Sequence, residues 1–363
     1  TAQSNGGALG GAGATLVTEA SVGGATLARL EADALRAVGV TVQADGANDA
    51  IALSRNNTGA LVASGSGATT TAAVTEFATV EAIVGEDGLV TATTGDVLVD
   101  ALSANTADAD SLGNSGALFS ASLLTTTATV AGATRAVMDG DIVSANAVTV
   151  KAHGTNDADA ISDGLSVGLV GGGVGLSSTA TITADAAVEA LVGSTPAMTP
   201  VMTTVAGDVL VEALATNTAT ATTPGNSGSI VAAGNNVTTS AEVGGSTKAL
   251  MDGVIQSARS LTVNAGTGVD GTTVLTGQNT ALATGKSETG ALLGAGATVT
   301  TDAEVTQFAD VEAIIGPDAV VTLTTGTVLV DALSANTANA TAQSNAGALG
   351  GAGATLVTAA SVG

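Results

Sequence analysis

The chain has no cysteine, no tryptophan and no tyrosine, and it carries one histidine and four prolines among 363 residues. Without cysteine there is neither a disulfide framework nor thiol chemistry. With a single histidine, His153, no His-rich metal site exists, and a Ser-His-Asp triad would have to use that one residue. The only aromatic side chains are Phe77, Phe119 and Phe308, which excludes a thick core of large residues and aromatic platforms for sugar rings. Positive charge is scarce too: eight Lys and Arg stand against 32 Asp and Glu, for a net charge of −24. No basic patch is available to displace counterions from phosphates, which argues against nucleic acid and against anionic membrane surfaces. The exterior is expected to be acidic and solvated. No apolar run approaches the roughly 18 residues that cross a bilayer, so no membrane insertion of this segment is expected. The nearest, "GLSVGLVGGGVGL" at 164–176, is short and rich in glycine. No signal peptide opens the sequence, so an export signal is expected outside this segment.

What remains is glycine, 49 residues of it, with Ala, Thr and Val, arranged in repeats. The stretch "TAQSNGGALGGAGATLVTEASVG" at 1–23 returns at 341–363 with only Gly6→Ala346 and Glu19→Ala359 changed, an offset of 340. Inside that period a five-residue word recurs: "VTVQA" at 40, "VLVDA" at 97, "VTVKA" at 148, "VLVEA" at 209, "LTVNA" at 261 and "VLVDA" at 328. The word starts are 51–67 residues apart, so six units fill the period. Eight residues after each start stands an asparagine: Asn48, Asn105, Asn156, Asn217 and Asn336. In the unit starting at 261 the matching residue is Asn279, displaced by a ten-residue insertion within "GTGVDGTTVLTG" at 266–277. Two kinds of unit alternate. One is preceded by "VEAIVG", "VEALVG" or "VEAIIG", the other by "TLARL", "TRAVMDG" or "TKALMDG".

The words alternate apolar and polar residues and favour β-branched side chains, which predicts strands separated by Gly, Asn and Asp turns. "TLARLEADALRAV" at 26–38 reads as helix in isolation, but the equivalent slot at 134–148 suits strands. A unit too poor in bulk to stand alone must be held by its neighbours. The predicted fold is therefore all-β: a β-solenoid (parallel β-helix) of six units of about 51–67 residues per 340-residue period, one continuous array over 1–363. We expect two or three coils per unit, so that about twelve to eighteen coils make the period roughly 60–90 Å long at about 4.8 Å per coil. An antiparallel stack of hairpins is the competing architecture. The near-identity of 1–23 and 341–363 marks the chain as a window of a longer tandem repeat. Two ladders are expected: the structural asparagines Asn48, Asn105, Asn156, Asn217, Asn279 and Asn336, and the fourth residue of each word, Gln43, Asp100, Lys151, Glu212, Asn264 and Asp331. Asparagine would bond along the axis or serve as an ordinary turn residue, architectural either way. Alternation in the second ladder would dilute like-charge repulsion, provided no coil intervenes.

The words "VTVKA" and "SGAL", and the stretch "ATVAGATRAVMDGDIVSANAVTVKA" at 128–152, resemble the repeat regions of giant bacterial filamentous-haemagglutinin-like adhesins and autotransporter passengers. That resemblance implies a secreted, surface-attached β-helical stalk, extracellular or on the cell surface of a bacterium. The haemagglutinin secretion domain itself is not recognisable here.

Nothing in the sequence offers catalysis. His153 follows "VTVKA" and reads as a solvated loop residue. "GLSVG" at 164–168 spells a nucleophile elbow around Ser166, but the glycine run after it cannot form the helix that the elbow requires. "GTGVDG" at 266–271 spells GxGxxG and is followed by strand-like "TTVLTG" where a helix should start. The carboxylates of "DGANDA" at 45–50, "DADS" at 108–111 and "NDADAISDG" at 156–164 lack Ca²⁺-loop spacing. As solvated turns they would offer Ca²⁺ at most weak surface binding, and no cofactor is expected. Threonine runs, "TATIT" at 179–183 and "TATATT" at 218–223, do not recur in every unit, as an ice-binding array would need. The expected function is a structural extracellular filament or adhesin stalk with no enzymatic activity. It would associate with itself end to end or side by side and contact host-cell or surface ligands. The alternative is a ligand- or glycan-binding β-helical module that presents loops such as the insertion.

Overall fold

Alternation with period two runs through the chain almost without interruption, and the backbone follows it. The structure, a computed structural model, describes residues 1–32, 35–194, 199–270 and 273–363. Every regular element among these residues is a strand. Thr26–Leu30 and Leu35–Ala37, where a helix was the alternative, are strands as well. Strands are far longer than the short ones expected: Val97–Val130 has 34 residues and Val148–Ile182 has 35. The asparagines lie in strands and not in turns: Asn48, Asn105, Asn156 and Asn217 inside long ones, Asn279 and Asn336 at the start of theirs. Parallel neighbours on both sides satisfy the backbone along the whole length, so a glycine or asparagine need not end the strand.

The strands form one 14-stranded sheet, two six-stranded sheets and a two-stranded hairpin. All pairs are parallel except that hairpin, Thr267–Asp270 with Thr273–Thr276, which overturns the antiparallel stack. In the large sheet, strands that start at Val40, Val97, Val148, Asp208, Ser260 and Val328 are successive neighbours. The words pair residue on residue, Val40↔Val97, Val148↔Val97, Val148↔Val209, Val209↔Leu261 and Leu261↔Val328. The chain thus comes back to the same register once per word. Each word adds one layer, not two or three, and six layer steps of about 4.8 Å make the period about 29 Å, not 60–90 Å. Periodicity reports which residues face inward. It does not report where a strand bends, and that error set the coil size wrong.

Three interior zones follow from side-chain size. The word residues Val40, Val42 and Ala44, with Val80, Ala82, Val84 and Val90 from the two smaller sheets, join the main core. Beyond it, two limbs of each layer run face to face, here called a wing. In the layer of the first word they are the outer part of Val40–Ala60 and the strand Ala63–Val74. Ala50, Ala52, Ala72 and Val74 fill the wing's own apolar core, repeated layer by layer. Further out, the Ser54 and Thr70 hydroxyls meet at 2.6 Å across the wing, as Ser162 and Thr126 do. Hydroxyls that touch directly show how closely small residues let the limbs approach. Nearer the tip, Ala68, Leu124, Val174 and Leu176 form a third, small cluster. Each fully buried Val or Leu contributes about 1.5–3 kcal/mol, so the thin core gains by repetition.

Candidate functional site

Between the word residues of the main core and the alanines of the wing core each layer has two inward positions, and asparagine occupies the outer one. Asn105, Asn156, Asn217 and Asn279 are 3% exposed or less. Each Nδ2 donates to the Oδ1 of the next asparagine: Asn48 to Asn105, Asn105 to Asn156, Asn156 to Asn217 and Asn217 to Asn279, all at 2.8 Å, and Asn279 to Asn336 at 2.9 Å. A primary amide fits because it carries a donor and an acceptor on one short arm, so each member of an unbroken column can accept from one neighbour and donate to the next. The second Nδ2 hydrogen reaches the backbone of the following turn, Gly132 O from Asn105 and Gly245 O from Asn217, both at 3.3 Å. Local geometry reinforces the site. Two residues before Asn156, Gly154 leaves room for Val188, whose Cγ2 a Cβ there would approach to 2.5 Å.

The fourth word residues also form one column, with no layer between them: Gln43↔Asp100, Lys151↔Asp100, Lys151↔Glu212, Glu212↔Asn264 and Asn264↔Asp331. Lys151 therefore sits between two carboxylates. Burial raises the Asp100 carboxyl above its ordinary value, and Lys151 opposes that rise.

A more regular charge column lies on the first of the six-stranded sheets. Its register sets Glu81, Arg135, Glu189, Lys248 and Glu312 side by side in strictly alternating sign. Arg135 Nε lies 2.7 Å from Glu189 Oε2. Sequence reasoning missed this column although its signal was on the page. The second residue of "VEAIVG", "TRAVM", "VEALVG", "TKALM" and "VEAII" alternates acid and base, and so distinguishes the two kinds of unit.

His153 is not a solvated loop residue. It lies inside Val148–Ile182, its side chain is 12% exposed, and Nε2 stands 2.7 Å from Oε1 of Glu212, itself 1% exposed. The insertion explains the burial. Gly266, at φ 73°, turns the chain out of the sheet, the hairpin forms, and Gly277 N–H donates to Gly266 O at 2.8 Å to restore the register. The hairpin packs on the pair, since a Cβ at Gly268 would come within 2.8 Å of Glu212 Oε1 and 3.2 Å of His153 Nε2. "GTGVDG", whose last residue lies outside the described set, opens this hairpin and no helix follows it.

The acidic clusters are strand residues and not turns. Asp108 pairs with Asp159 across layers, and Asp110, Asp157 and Asp163 flank them on the same outward face. Burial, then Asp108, Asp157 and Asp110, push the Asp159 carboxyl up to about 6. Asp110, Asp157 and Asp163 are raised in the same direction, chiefly by burial. Among the described residues no group of three or more His, Cys, Asp or Glu is disposed to hold a metal ion. Ser166 faces the interior of the wing, fully buried, with its Oγ 2.7 Å from Ser120 and accepting from Gly173 N–H at 3.1 Å. It is not presented to solvent at an elbow. The two threonine runs lie on different limbs and form no common array: residues 179–182 of "TATIT" pair with 127–130, and residues 218–222 of "TATATT" with 157–161.

No protein-family model, no curated protein and no solved structure matches this chain.

Proposed function

We propose that this chain is a structural shaft: a β-solenoid of six one-layer units per 340-residue period, built to hold length and stiffness. The observation that carries the reading is the self-satisfying asparagine column, buried between two cores and bonded from Asn48 through Asn336. Such a column holds layers in register and leaves no amide group to act on a substrate. The segments 1–23 and 341–363 take the same register against their neighbours: Ser4 faces Asn56 and Ser344 faces Ser287, the residues of one column. The words' resemblance to adhesin repeats supports a secreted bacterial stalk on the cell surface that associates with itself and reaches host or surface ligands. No catalytic group, metal or other cofactor enters the proposal.

Electron microscopy and X-ray scattering of the purified chain test it. The expected result is a particle about 29 Å tall per period and wider across its layers, with a strong reflection at about 4.8 Å along the stacking axis. A compact particle without that axial spacing would overturn it. In a parallel assay the chain should neither hydrolyse polysaccharides nor lose glycan-array signal when the hairpin is removed. Loss of a specific glycan signal would favour the module that presents loops.

A further inference from the structure

At the bend between the two wing limbs most layers keep a leucine or isoleucine in water; in the layer of Leu118, itself half-buried, Phe119 is the exposed residue at 53%. Leu61 is 65% exposed, Leu169 51%, Ile230 52% and Leu292 46%. Backbone bonds link them in two runs, Leu118 N to Leu61 O at 3.4 Å, then Ile230 N to Leu169 O at 3.0 Å and Leu292 N to Ile230 O at 2.9 Å, with a register shift between Gly168 and Gly171 where the runs adjoin. Leu349, whose N–H donates to Leu292 O at 3.1 Å, extends the column at one end, and at the other Leu9 lies between Ala8 and Gly10, which accept from the N–H groups of Leu61 and Val62. An apolar ridge about 29 Å long, six layer steps, therefore runs along the edge of the wing.

Beside the ridge, on the return limb, runs a second column: Gly65, Ala121, Gly173, Gly234 and Gly296. The glycines here have no positive φ. A Cβ would meet only ordinary contacts at Gly173 and Gly234, 3.6 and 3.8 Å from backbone oxygens, and nothing within 4 Å at Gly296. The fold of this chain has no use for glycine at these positions, and glycine weakens a strand. The remaining physical reason is close approach from outside. A trough of about 830 Å³ follows the column. On this flank no ionised side chain lies between the ridge and Glu242 or Asp302, whereas the other flank carries Arg55, Asp163, Lys286 and Glu288.

We propose that a second copy of this chain docks here as a lap joint, the leucine ridge of each copy filling the glycine trough of the other. Ridge and trough repeat with the same layer spacing, so two copies related by a two-fold axis along the stack match at every layer. An unrelated partner has no such pitch. A strip about 29 Å by 25 Å buries about 700 Å² of each copy, about 1,400 Å² in all, within the range of specific stable interfaces. Contact along the uncharged flank is also what lets two chains of charge −24 approach. The proposal uses the stacked reading above for its period and adds the partner.

The test is the mass of the intact chain in solution at concentrations up to about 200 μM, since pairing is concentration-dependent. The expected result is twice the 34.0 kDa chain mass. Filling the trough with Gly173→Thr, Gly234→Thr and Gly296→Thr should weaken pairing at least tenfold while thermal stability holds or rises, because threonine suits strands better. Ridge substitutions Leu61→Ser, Leu169→Ser, Ile230→Ser and Leu292→Ser should weaken it as much. A wild-type chain that stays monomeric, or trough variants that pair as before, overturns the proposal. So does flotation of monomeric wild type, but not of the ridge variant, with phosphatidylcholine vesicles, which would give the ridge to a lipid surface. Monomers that keep the axial spacing would remove the pairing alone; particles without the axial spacing would remove the stack.

Discussion

Asn156 accepts from Asn105 and donates to Asn217, so one side chain serves two neighbours. Asn156→Ala strands a buried donor and a buried acceptor at once. We expect a loss of about 2–4 kcal/mol in chemical denaturation. Asp159 behaves in the opposite sense. Its carboxyl is raised from 3.8 to about 6 in the folded chain, so folding takes up a proton between those values. Its contribution is fully present below the unfolded value and is lost as the pH rises through about 6. The chain should therefore gain stability when taken from pH 7 to pH 5. Solvent screening on the outer face cuts the full linkage value to about 1–2 kcal/mol. Asp159→Asn should be more stable than wild type at pH 7 and should flatten the profile, read as melting temperature against pH. A profile unchanged by that substitution would refute the assignment. Asp208 works the other way, held down to about 2 by Arg259 and Ser260, so its contribution is present above 3.8 and fades as the pH falls toward 2.

At the scale of the element, the alternating column and the hairpin make separate predictions. Arg135→Glu would set three carboxylates in a row between the layers of Glu81 and Glu189. Adjacent like charges in a sheet cost up to about 1 kcal/mol per pair, so a loss of about 1–2 kcal/mol is expected, smaller in high salt. Equal loss at all ionic strengths would point to packing instead. The hairpin is an addition to a strand that already closes behind it, since Gly266 O receives Gly277 N–H. Removing residues 267–276 should leave the circular dichroism spectrum of the sheet intact while exposing His153 and Glu212 to solvent. Gly266→Ala should be worse than the whole deletion, because φ of 73° disfavours a side chain and a Cβ would strike the Leu333 carbonyl oxygen. These elements were readable to different depths. The ten-residue insertion could be placed from Asn279 alone, because register fixes it. That it folds over a buried His–Glu pair could not, since nothing near His153 in the sequence signals residues more than a hundred positions away.

For the whole molecule, a stack with nearest-neighbour contacts should tolerate the loss of layers but not of their order. Deleting 97–208, two layers, joins Asp96 to Val209 and sets Glu81 beside Lys248, so the alternation survives. Deleting 97–147, one layer, joins Asp96 to Val148 and sets Glu81 beside Glu189. Both chains should keep the asparagine column, Asn48 meeting Asn217 or Asn156. The single deletion should nonetheless melt below the double one, although it keeps more layers, and the gap should narrow in high salt. A single-layer deletion that melts higher would show that unit type carries no ordering information.

The sequence by itself determined the alternation, the words and their spacing, because each is a local or periodic property of the chain. It also carried the alternating charges of Glu81, Arg135, Glu189, Lys248 and Glu312, unread. Only the tertiary structure decided that the words stack in parallel, that a word adds one layer, that its long strand bends back on itself as a wing, and that Asn105 to Asn279 lie buried between two cores. The reason is geometric. A period of two fixes which side of a strand is inside, whereas the position of a bend depends on what the returning limb packs against, and that contact exists only once the chain has folded.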